Sequence, residues 1–298
     1  DILEKGKFDG RGARPIANSK VISLIDKTLK TELLFDDKIL ETFLNNYYEW
    51  LKASKLNNLD GLKFFDKLSY VHGTTQSFDF FFLENKMRRM RCFKGDFIYH
   101  KVSWKNYFKE KWKFIEEDEL RDYDAVIISV PFSDSGSLHP QTENVLNICD
   151  NLKIPVLIDC AYYSISNGVN LNIKRPSIDT VTFSLSKPFY GAERLRIGIR
   201  CKKNFTDDTV NLFNQFQQIN RIGAGIGIEL CKNFDTDYNF INFRDKQVKV
   251  CKELNIEPSD SVIFGLAKSD HEEFGDYDRG GSHHRVCISK LLGDCNKL

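Results

Sequence analysis

Between residues 124 and 201 the sequence alternates short, almost wholly apolar runs with segments typical of helices. Strands that are apolar at every position are buried on both faces, because helices cover both sides of a mostly parallel sheet. The predicted strands span residues 125–130, 156–158, 180–184 and 195–200, and a helix is predicted over 141–152. This alternation predicts an α/β fold of three layers, α/β/α, around a mostly parallel sheet.

The two ends of the chain differ from this central part. Helices are predicted over residues 21–34, 35–53, 62–68, 207–219 and 245–254, with strands over 261–267 and 285–289. A short strand over 69–72 precedes Gly73, after which Thr74 and Thr75 can cap a helix that continues to residue 82. We therefore expect a large domain over residues 46–204 and a small α+β domain built from residues 1–45 and 205–298.

Charge and cysteine usage exclude several classes of protein. The chain has 43 Lys and Arg against 42 Asp and Glu, a net charge of +1, whereas nucleic-acid-binding domains usually carry a strong basic surplus. No apolar run approaches the roughly 18 residues that span a bilayer. None of the eight cysteines forms a C-x-x-C pair, and the first ten residues lack the apolar core of a signal peptide. We expect a cytoplasmic protein with reduced thiols that binds neither nucleic acid nor membrane.

Polar residues gather where predicted strands end, which is where open α/β sheets bind their ligands. Each set alone is typical of a turn or a helix cap, and the significance lies in their sharing one edge of one sheet. The four sets are Gly73-Thr74-Thr75, Ser133-Asp134-Ser135-Gly136, Asp159-Cys160-Ala161-Tyr162 and Ser184-Leu185-Ser186-Lys187. They predict a ligand site at this edge.

The segment VLIDCAYY, followed by TVTFSLSKPFYGAERLRIGIR, resembles the core of the fold-type I pyridoxal-phosphate (PLP) enzymes, specifically the class I/II aminotransferases. The resemblance implies PLP as cofactor and Lys187 as the lysine that holds it as a Schiff base and moves protons. It also implies that Asp159 keeps the pyridine nitrogen protonated, which the cofactor needs to act as an electron sink. Tyr162 resembles the tyrosine that contacts the phenolic oxygen, although a core aromatic is an equal interpretation.

The resemblance further implies a phosphate site at a helix N-terminus. Backbone groups of Gly73, Thr74 and Thr75 and the hydroxyls of Ser184 and Ser186 would line it. Arg196 matches the phosphate-binding arginine, with Arg194 as the alternative.

The remaining matches concern the ring and the substrate. Phe97 or Tyr99 would stack on the cofactor, and the sequence does not distinguish them. Ser133 stands where the family often carries an asparagine that contacts the phenolic oxygen. In the C-terminal HRVCIS, Arg285 matches the arginine that clamps the substrate α-carboxylate, a group that a guanidinium binds with two hydrogen bonds.

These residues predict an aminotransferase that acts on an α-amino acid and a 2-oxo acid, and members of the family are homodimers. A PLP-dependent lyase, decarboxylase or racemase, or a non-catalytic homologue, would carry the same cofactor residues. Two other motifs are weaker. The S-x-x-K string lacks the downstream motifs of β-lactamases, and the glycines at 223, 225 and 227 follow no strand, which favours helix packing. No metal site is expected.

Overall fold

The computed structural model describes residues 12–109, 111–281 and 283–295. The helices are α1 Ser19–Thr28, α2 Ile39–Lys52, α3 Thr74–Glu84, α4 Ile98–Tyr107, α5 Thr142–Leu152, α6 Ala192–Leu195, α7 Thr209–Gln215, α8 Arg221–Asn233, α9 Tyr238–Glu253 and α10 Ser289–Leu292. The strands are β1 Asn58–Asp60, β2 Lys67–His72, β3 Arg89–Cys92, β4 Trp112–Phe114, β5 Asp124–Ser129, β6 Val156–Asp159, β7 Asn170–Asn172, β8 Ile178–Ser184, β9 Ile197–Lys202, β10 Glu257–Pro258, β11 Phe264–Lys268 and β12 His283–Cys287. Short 3-10 helices cover Thr31–Leu34, Leu62–Phe64, Ile115–Glu117, Tyr163–Ile165 and Glu272–Tyr277. None of the helices within these residues has the length and apolarity to cross a bilayer.

The main sheet has seven strands in the order β2-β9-β8-β6-β5-β3-β4. Strand β9 runs antiparallel to the other six, which are parallel to one another. Alternate residues of β5 enter two different cores. Val126 and Ile128 pack with side chains of α2, α5 and α8, whereas Ala125 and Ile127 pack with the aromatic residues of α3 and α4. Helices therefore cover both faces, which explains the apolar strands and confirms the predicted three-layer α/β/α fold.

A second core lies beneath the three-stranded antiparallel sheet β10-β11-β12 and helix α9. This is the small α+β unit. The proposed boundaries at residues 46 and 204 stay a proposal, and the packing suggests a refinement of them. Because Ile39, Phe43 and the apolar residues of α8 pack in the core of the main sheet, we propose that α2 and α8 belong to the large unit.

Several predicted elements differ from those observed. The predicted helix over 62–68 is a 3-10 turn, because residues 67–72 instead form a hydrogen-bonded ladder with β9. The strand predicted over 195–200 begins later, since Arg196 adopts a left-handed conformation, φ 56°, between α6 and β9. Strands β3 and β4 were not predicted, because their charged residues hide the apolar pattern. The glycines of 223–227 lie within α8, where a Cβ at Gly227 would meet Phe43.

Candidate active site

A cavity of about 680 Å³ lies at the carboxyl ends of β5, β6 and β8. Strand register brings these ends together, because Ser129 pairs with Asp159 and Asp159 pairs with Thr182. Residues 12–13, residues 276–279 and Arg285 also line the cavity. Among the predicted site residues, those that line it are Thr74, Thr75, Phe97, Ser133, Asp159, Tyr162, Ser184, Ser186, Lys187, Arg196 and Arg285. The volume is typical of a pocket for a small molecule.

Asp159 is a buried carboxylate at the end of β6. The backbone N–H of Ala161 donates to its Oδ1 at 3.0 Å. Burial, and then the neighbouring carboxylate of Asp96, raise the pKa of Asp159 to about 7. Within the described residues no Lys or Arg nitrogen lies within 4.0 Å of it. Asp159 is therefore a buried carboxyl group whose negative form needs a cation beside it, and it lines a cavity that a cationic ligand group can enter.

Asp96 is a second buried carboxylate beside Asp159, and the sequence analysis missed it. It follows β3, a strand that was not predicted, in the loop before α4. The Ser129 hydroxyl donates to Asp96 Oδ1 at 2.5 Å, and the N–H of Phe97 donates to the same oxygen at 2.7 Å. Burial raises the pKa of Asp96. The only signal in the sequence was its place in Gly95-Asp96-Phe97, next to a candidate stacking residue.

Lys187 lines the same cavity and lies in the turn after β8. Its Nζ donates to the carbonyl oxygen of Ala13 at 2.8 Å and lies 5.9 Å from the centre of the Tyr162 ring. No carboxylate of the described residues lies within salt-bridge distance of Nζ. The amine is thus held at the cavity wall by one neutral acceptor, which leaves it open to a ligand.

Tyr162 is part of the second core and also reaches the cavity. Its ring packs on Phe264 in the second core, with 5.3 Å between ring centres, while its hydroxyl reaches the cavity and accepts from Arg285 Nη1 at 3.2 Å. Burial alone would raise the pKa of Tyr162, but the charges of Arg285, Lys187 and Arg279 outweigh burial and lower it. The phenol oxygen is therefore suited to face a proton donor or an anionic group of a ligand.

A cradle for an anion is formed by lining residues of the cavity, namely Thr74, Thr75, Ser184, Ser186 and Arg196. Thr74 and Thr75 begin helix α3, whose first backbone N–H groups have no partners within the helix. Arg196 Nη2 donates to the hydroxyl of Thr75 at 2.8 Å and to the carbonyl of His72 at 3.2 Å. The hydroxyl of Ser184 donates to that of Ser186 at 2.8 Å. A helix N-terminus, hydroxyl groups and a guanidinium together suit a phosphate group.

The residues of two open alternatives differ in position relative to the cavity. The side chain of Arg194 is 80% exposed, pairs loosely with Glu193 and does not line the cavity, whereas Arg196 does. Phe97 lines the cavity, whereas the hydroxyl of Tyr99 donates to Asp79 at 2.7 Å outside it. Tyr99 is therefore not placed to stack on a ligand. Gly73 does not line the cavity either and lies directly beneath Arg196.

The cradle depends on the close approach of two glycines. A Cβ at Gly198 would lie 2.9 Å from the Cα of Gly73 and 2.9 Å from the carbonyl oxygen of Phe183. Both contacts are to backbone, which cannot move aside cheaply. Gly198→Ala is therefore expected to lower the free energy of unfolding by about 1–3 kcal/mol in denaturant titrations.

The matched control is Gly275→Ala, where a Cβ would meet no atom within 4 Å. We expect that change to stay within about 0.5 kcal/mol of the wild type. Equal stabilities for the two variants would show that the glycine contact in the cradle is looser than described.

Part of the N-terminal segment borders the cavity. Residues 8–11 lie outside the described residues, as do the first seven. Gly12 and Ala13 line the cavity, and Ala13 supplies the acceptor for Lys187. Arg279 also lines the cavity and was not predicted, because nothing in the string DYDRGG distinguishes it from a surface arginine.

The sequence matches no protein-family model and no curated protein. The fold does match solved structures. Histidinol-phosphate aminotransferase from Clostridium acetobutylicum superposes with a TM-score of 0.66 at 14% identity, over 94% of each chain. PLP-bound C-S lyase from Staphylococcus hominis gives 0.65 at 12% identity, over 97% of this chain and 93% of that one. L-threonine-O-3-phosphate decarboxylase from Porphyromonas gingivalis gives 0.59 at 15%, over 94% and 93%. The chain therefore has the fold of the PLP-dependent aminotransferases and related fold-type I enzymes, as its sequence predicted.

Proposed function

We propose that the protein is a PLP-dependent aminotransferase that moves an amino group between an α-amino acid and a 2-oxo acid. One observation carries the proposal. The buried carboxyl group of Asp159, the amine of Lys187 and the anion cradle at Arg196 all line one cavity. The names of the structural neighbours, which include an aminotransferase and a PLP-bound lyase, support the same cofactor.

The residues present fit PLP by charge and by donor type. The cofactor carries a protonated ring nitrogen, an aldehyde and a phosphate. Asp159 offers the anion for the nitrogen, Lys187 offers the amine for the aldehyde, and Arg196 with the start of α3 offers donors for the phosphate. Phe97 would cover a face of the ring. When bound, the cofactor supplies an electron sink for a bond broken at the substrate Cα.

The protein's own groups would then control the protons. Asp159 holds a proton on the ring nitrogen, because a buried carboxylate is stabilised by a cation beside it. Lys187 Nζ, as a free amine, would accept the proton from the substrate Cα. Tyr162 donates to or accepts from an oxygen of the ligand with a hydroxyl whose pKa is already lowered. Arg285 binds the substrate α-carboxylate and thereby orients the Cα–H bond.

The reaction type is tested by supplying amino acids to the PLP-loaded protein without any oxo acid. Transamination releases about one equivalent of a 2-oxo acid per protein chain and then stops until an acceptor is added. Release of ammonia would instead indicate a lyase, release of carbon dioxide a decarboxylase, and inversion at Cα a racemase. Absence of any product and of a visible absorption band would contradict the cofactor itself.

The phosphate cradle gives a separate prediction. Arg196→Ala is expected to weaken the binding of PLP about 10–100-fold, because a charge-assisted hydrogen bond to the phosphate is lost. Binding of pyridoxal, which lacks the phosphate, should change little. Both dissociation constants can be measured by fluorescence titration of the apo protein.

The control for this prediction is Arg194→Ala, which removes an exposed arginine two positions away. It should leave both dissociation constants unchanged. Equal weakening of PLP and pyridoxal by Arg196→Ala would place the arginine elsewhere in the site or give it a structural role.

We also propose a homodimer, as the family resemblance implies. Helix α4 supports it, because Ile98 and Val102 are 64% and 52% exposed on successive turns, and Ile98 lines the cavity. Light scattering of the purified protein tests this state. A monomer at assay concentrations, with full activity, would contradict it.

A further inference from the structure

Two guanidinium groups converge on one backbone carbonyl at the cavity wall. Arg285 Nη1 donates to the carbonyl oxygen of Ser133, and Arg279 Nη1 donates to the same oxygen at 3.2 Å. Both arginines line the cavity, and Arg285 is 2% exposed. Burial, and then the charge of Arg285, lower the pKa of Arg279. Two like charges held this close repel each other, so the arrangement favours an anion bound between or beside them.

The described residues provide no such anion for Arg279. None of their carboxylates lies within salt-bridge distance of its guanidinium, whose hydrogen bonds go to the carbonyl and hydroxyl of Ser133. Asp134 and Asp96 are the buried acids whose charges act on Arg279, and among the described residues neither oxygen of Asp134 has a hydrogen-bond partner. Burial also raises the pKa of Asp134, which favours its neutral form. The guanidinium of Arg279 is therefore available to bind an anionic group of a molecule in the cavity.

The other cations of the cavity differ from Arg279 in position or in task. Under the proposed function, on which this inference rests, Lys187 and Arg196 serve the cofactor and Arg285 serves the α-carboxylate. Lys101 also lines the cavity, but it is exposed and lies 6.0 Å from the ring centre of Phe114. Arg279 alone among the described, unassigned cations shares an acceptor with Arg285, which places it beside the substrate.

We propose that Arg279 binds a second anionic group of the substrate, so that the preferred substrates are amino acids with an acidic side chain and the corresponding 2-oxo acids. The chemistry that a guanidinium recognises with two hydrogen bonds is shared by a carboxylate and a phosphate ester. The preference for acidic side chains follows from the free-energy cost of binding a substrate with a neutral side chain. A neutral side chain would leave the partly buried charge of Arg279 desolvated and without a counter-ion.

The test compares acidic substrates with their neutral amides. In the PLP-loaded enzyme we measure kcat/KM of the half-reaction for aspartate and glutamate, for O-phosphoserine, and for asparagine and glutamine. The wild type should favour at least one acidic substrate over its neutral counterpart by about 10–100-fold. Arg279→Gln should remove most of that preference by reducing kcat/KM for the acid while changing the amide little. The carboxylate and phosphate arms identify which acid is preferred.

A binding measurement provides a readout that needs no turnover. Succinate carries two carboxylates and butyrate one on a chain of the same length, so calorimetry with each isolates the second acidic group. Wild type should bind succinate about 10–100-fold more tightly than butyrate, and Arg279→Gln should abolish the difference. Arg194→Gln, which removes an exposed arginine outside the cavity, is the matched control and should behave as wild type.

Two results would overturn the inference. One is an equal loss for acidic and neutral substrates in Arg279→Gln with the fold intact, which would assign Arg279 to the α-carboxylate or to the structure. The other is a wild type without preference for a second acid in either experiment. Failure of the proposed function is recognised separately, because the protein would then either fail to hold PLP on Lys187 or give ammonia, carbon dioxide or a racemised amino acid in place of a 2-oxo acid, whatever it does with succinate.

Discussion

Replacing Lys187 with alanine is expected to abolish the half-reaction, with a loss of about 10³-fold or more, while the fold stays intact. Two roles disappear together, because the amine both holds the cofactor and accepts the substrate proton. Among the described residues the side chain makes one hydrogen bond, to the carbonyl of Ala13, so its removal should cost little stability. Single-turnover release of 2-oxo acid measures the loss, and thermal unfolding measures the stability.

The matched control is Lys101→Ala, which removes another lysine that lines the cavity. Its half-reaction should stay within a few-fold of wild type. If Lys187→Ala kept wild-type activity, or if both lysine variants lost activity equally, the assignment of Lys187 as the reacting amine would be wrong.

The second large effect concerns Asp159→Asn, which should stabilise the apo protein and weaken cofactor binding. The pKa of Asp159 is raised to about 7 by burial and by Asp96, against about 3.9 in an unfolded chain. Below pH 4 the carboxyl is protonated in both states and costs nothing extra. Between pH 4 and 7 the unfolded state loses its proton first, so the stability of the folded apo protein falls as the pH rises.

Asparagine does not ionise, so Asp159→Asn removes this fall in stability with rising pH. At pH 8 the apo variant should therefore be more stable than the apo wild type by about 2–4 kcal/mol, and at pH 4 the two should be nearly equal. Adding PLP should reverse the order at pH 8, because the protonated ring nitrogen stabilises the carboxylate and has no such partner in the variant. Asp96 is present in both proteins, where burial raises its pKa and the charge of Arg279 lowers it; among the cations that line the cavity, the charge of Lys187 lowers the pKa of Asp159.

Thermal unfolding with and without PLP, from pH 4 to 8, follows all four species. A variant that is destabilised at every pH, or that gains as much stability from PLP as wild type does, would contradict the role of Asp159. Ser164→Ala is the matched control, since it alters a buried polar side chain outside the cavity lining and should leave the dependence on pH unchanged.

The central sheet and the core of the site could be predicted from sequence because short-range signals mark them. β5 and β6 carry uninterrupted apolar runs and β8 is rich in β-branched residues; Asp159 ends β6, and Lys187 lies in the turn after β8. The carboxyl ends of neighbouring parallel strands must meet, so the polar residues that follow them had to share one cavity.

The missed parts depend on contacts distant in sequence. Strand β3 reads as charged because Arg89 and Arg91 turn inward onto the buried carboxylate of Asp124, a pairing that no local pattern reveals. Asp96 follows that strand and was missed with it. Arg279 enters the cavity only because the small unit folds over the sheet edge, where it meets the carbonyl of Ser133, 146 positions earlier.

The central claim is that Lys187 carries PLP, and one chemical experiment tests it most directly. The PLP-loaded protein is reduced with borohydride, which makes the link between the amine and the cofactor permanent, and then digested and mapped by mass spectrometry. We expect one phosphopyridoxyl group per chain, on the peptide that contains Lys187. Modification spread over several surface lysines, or placed on Lys101, with Lys187 unmodified, would contradict it.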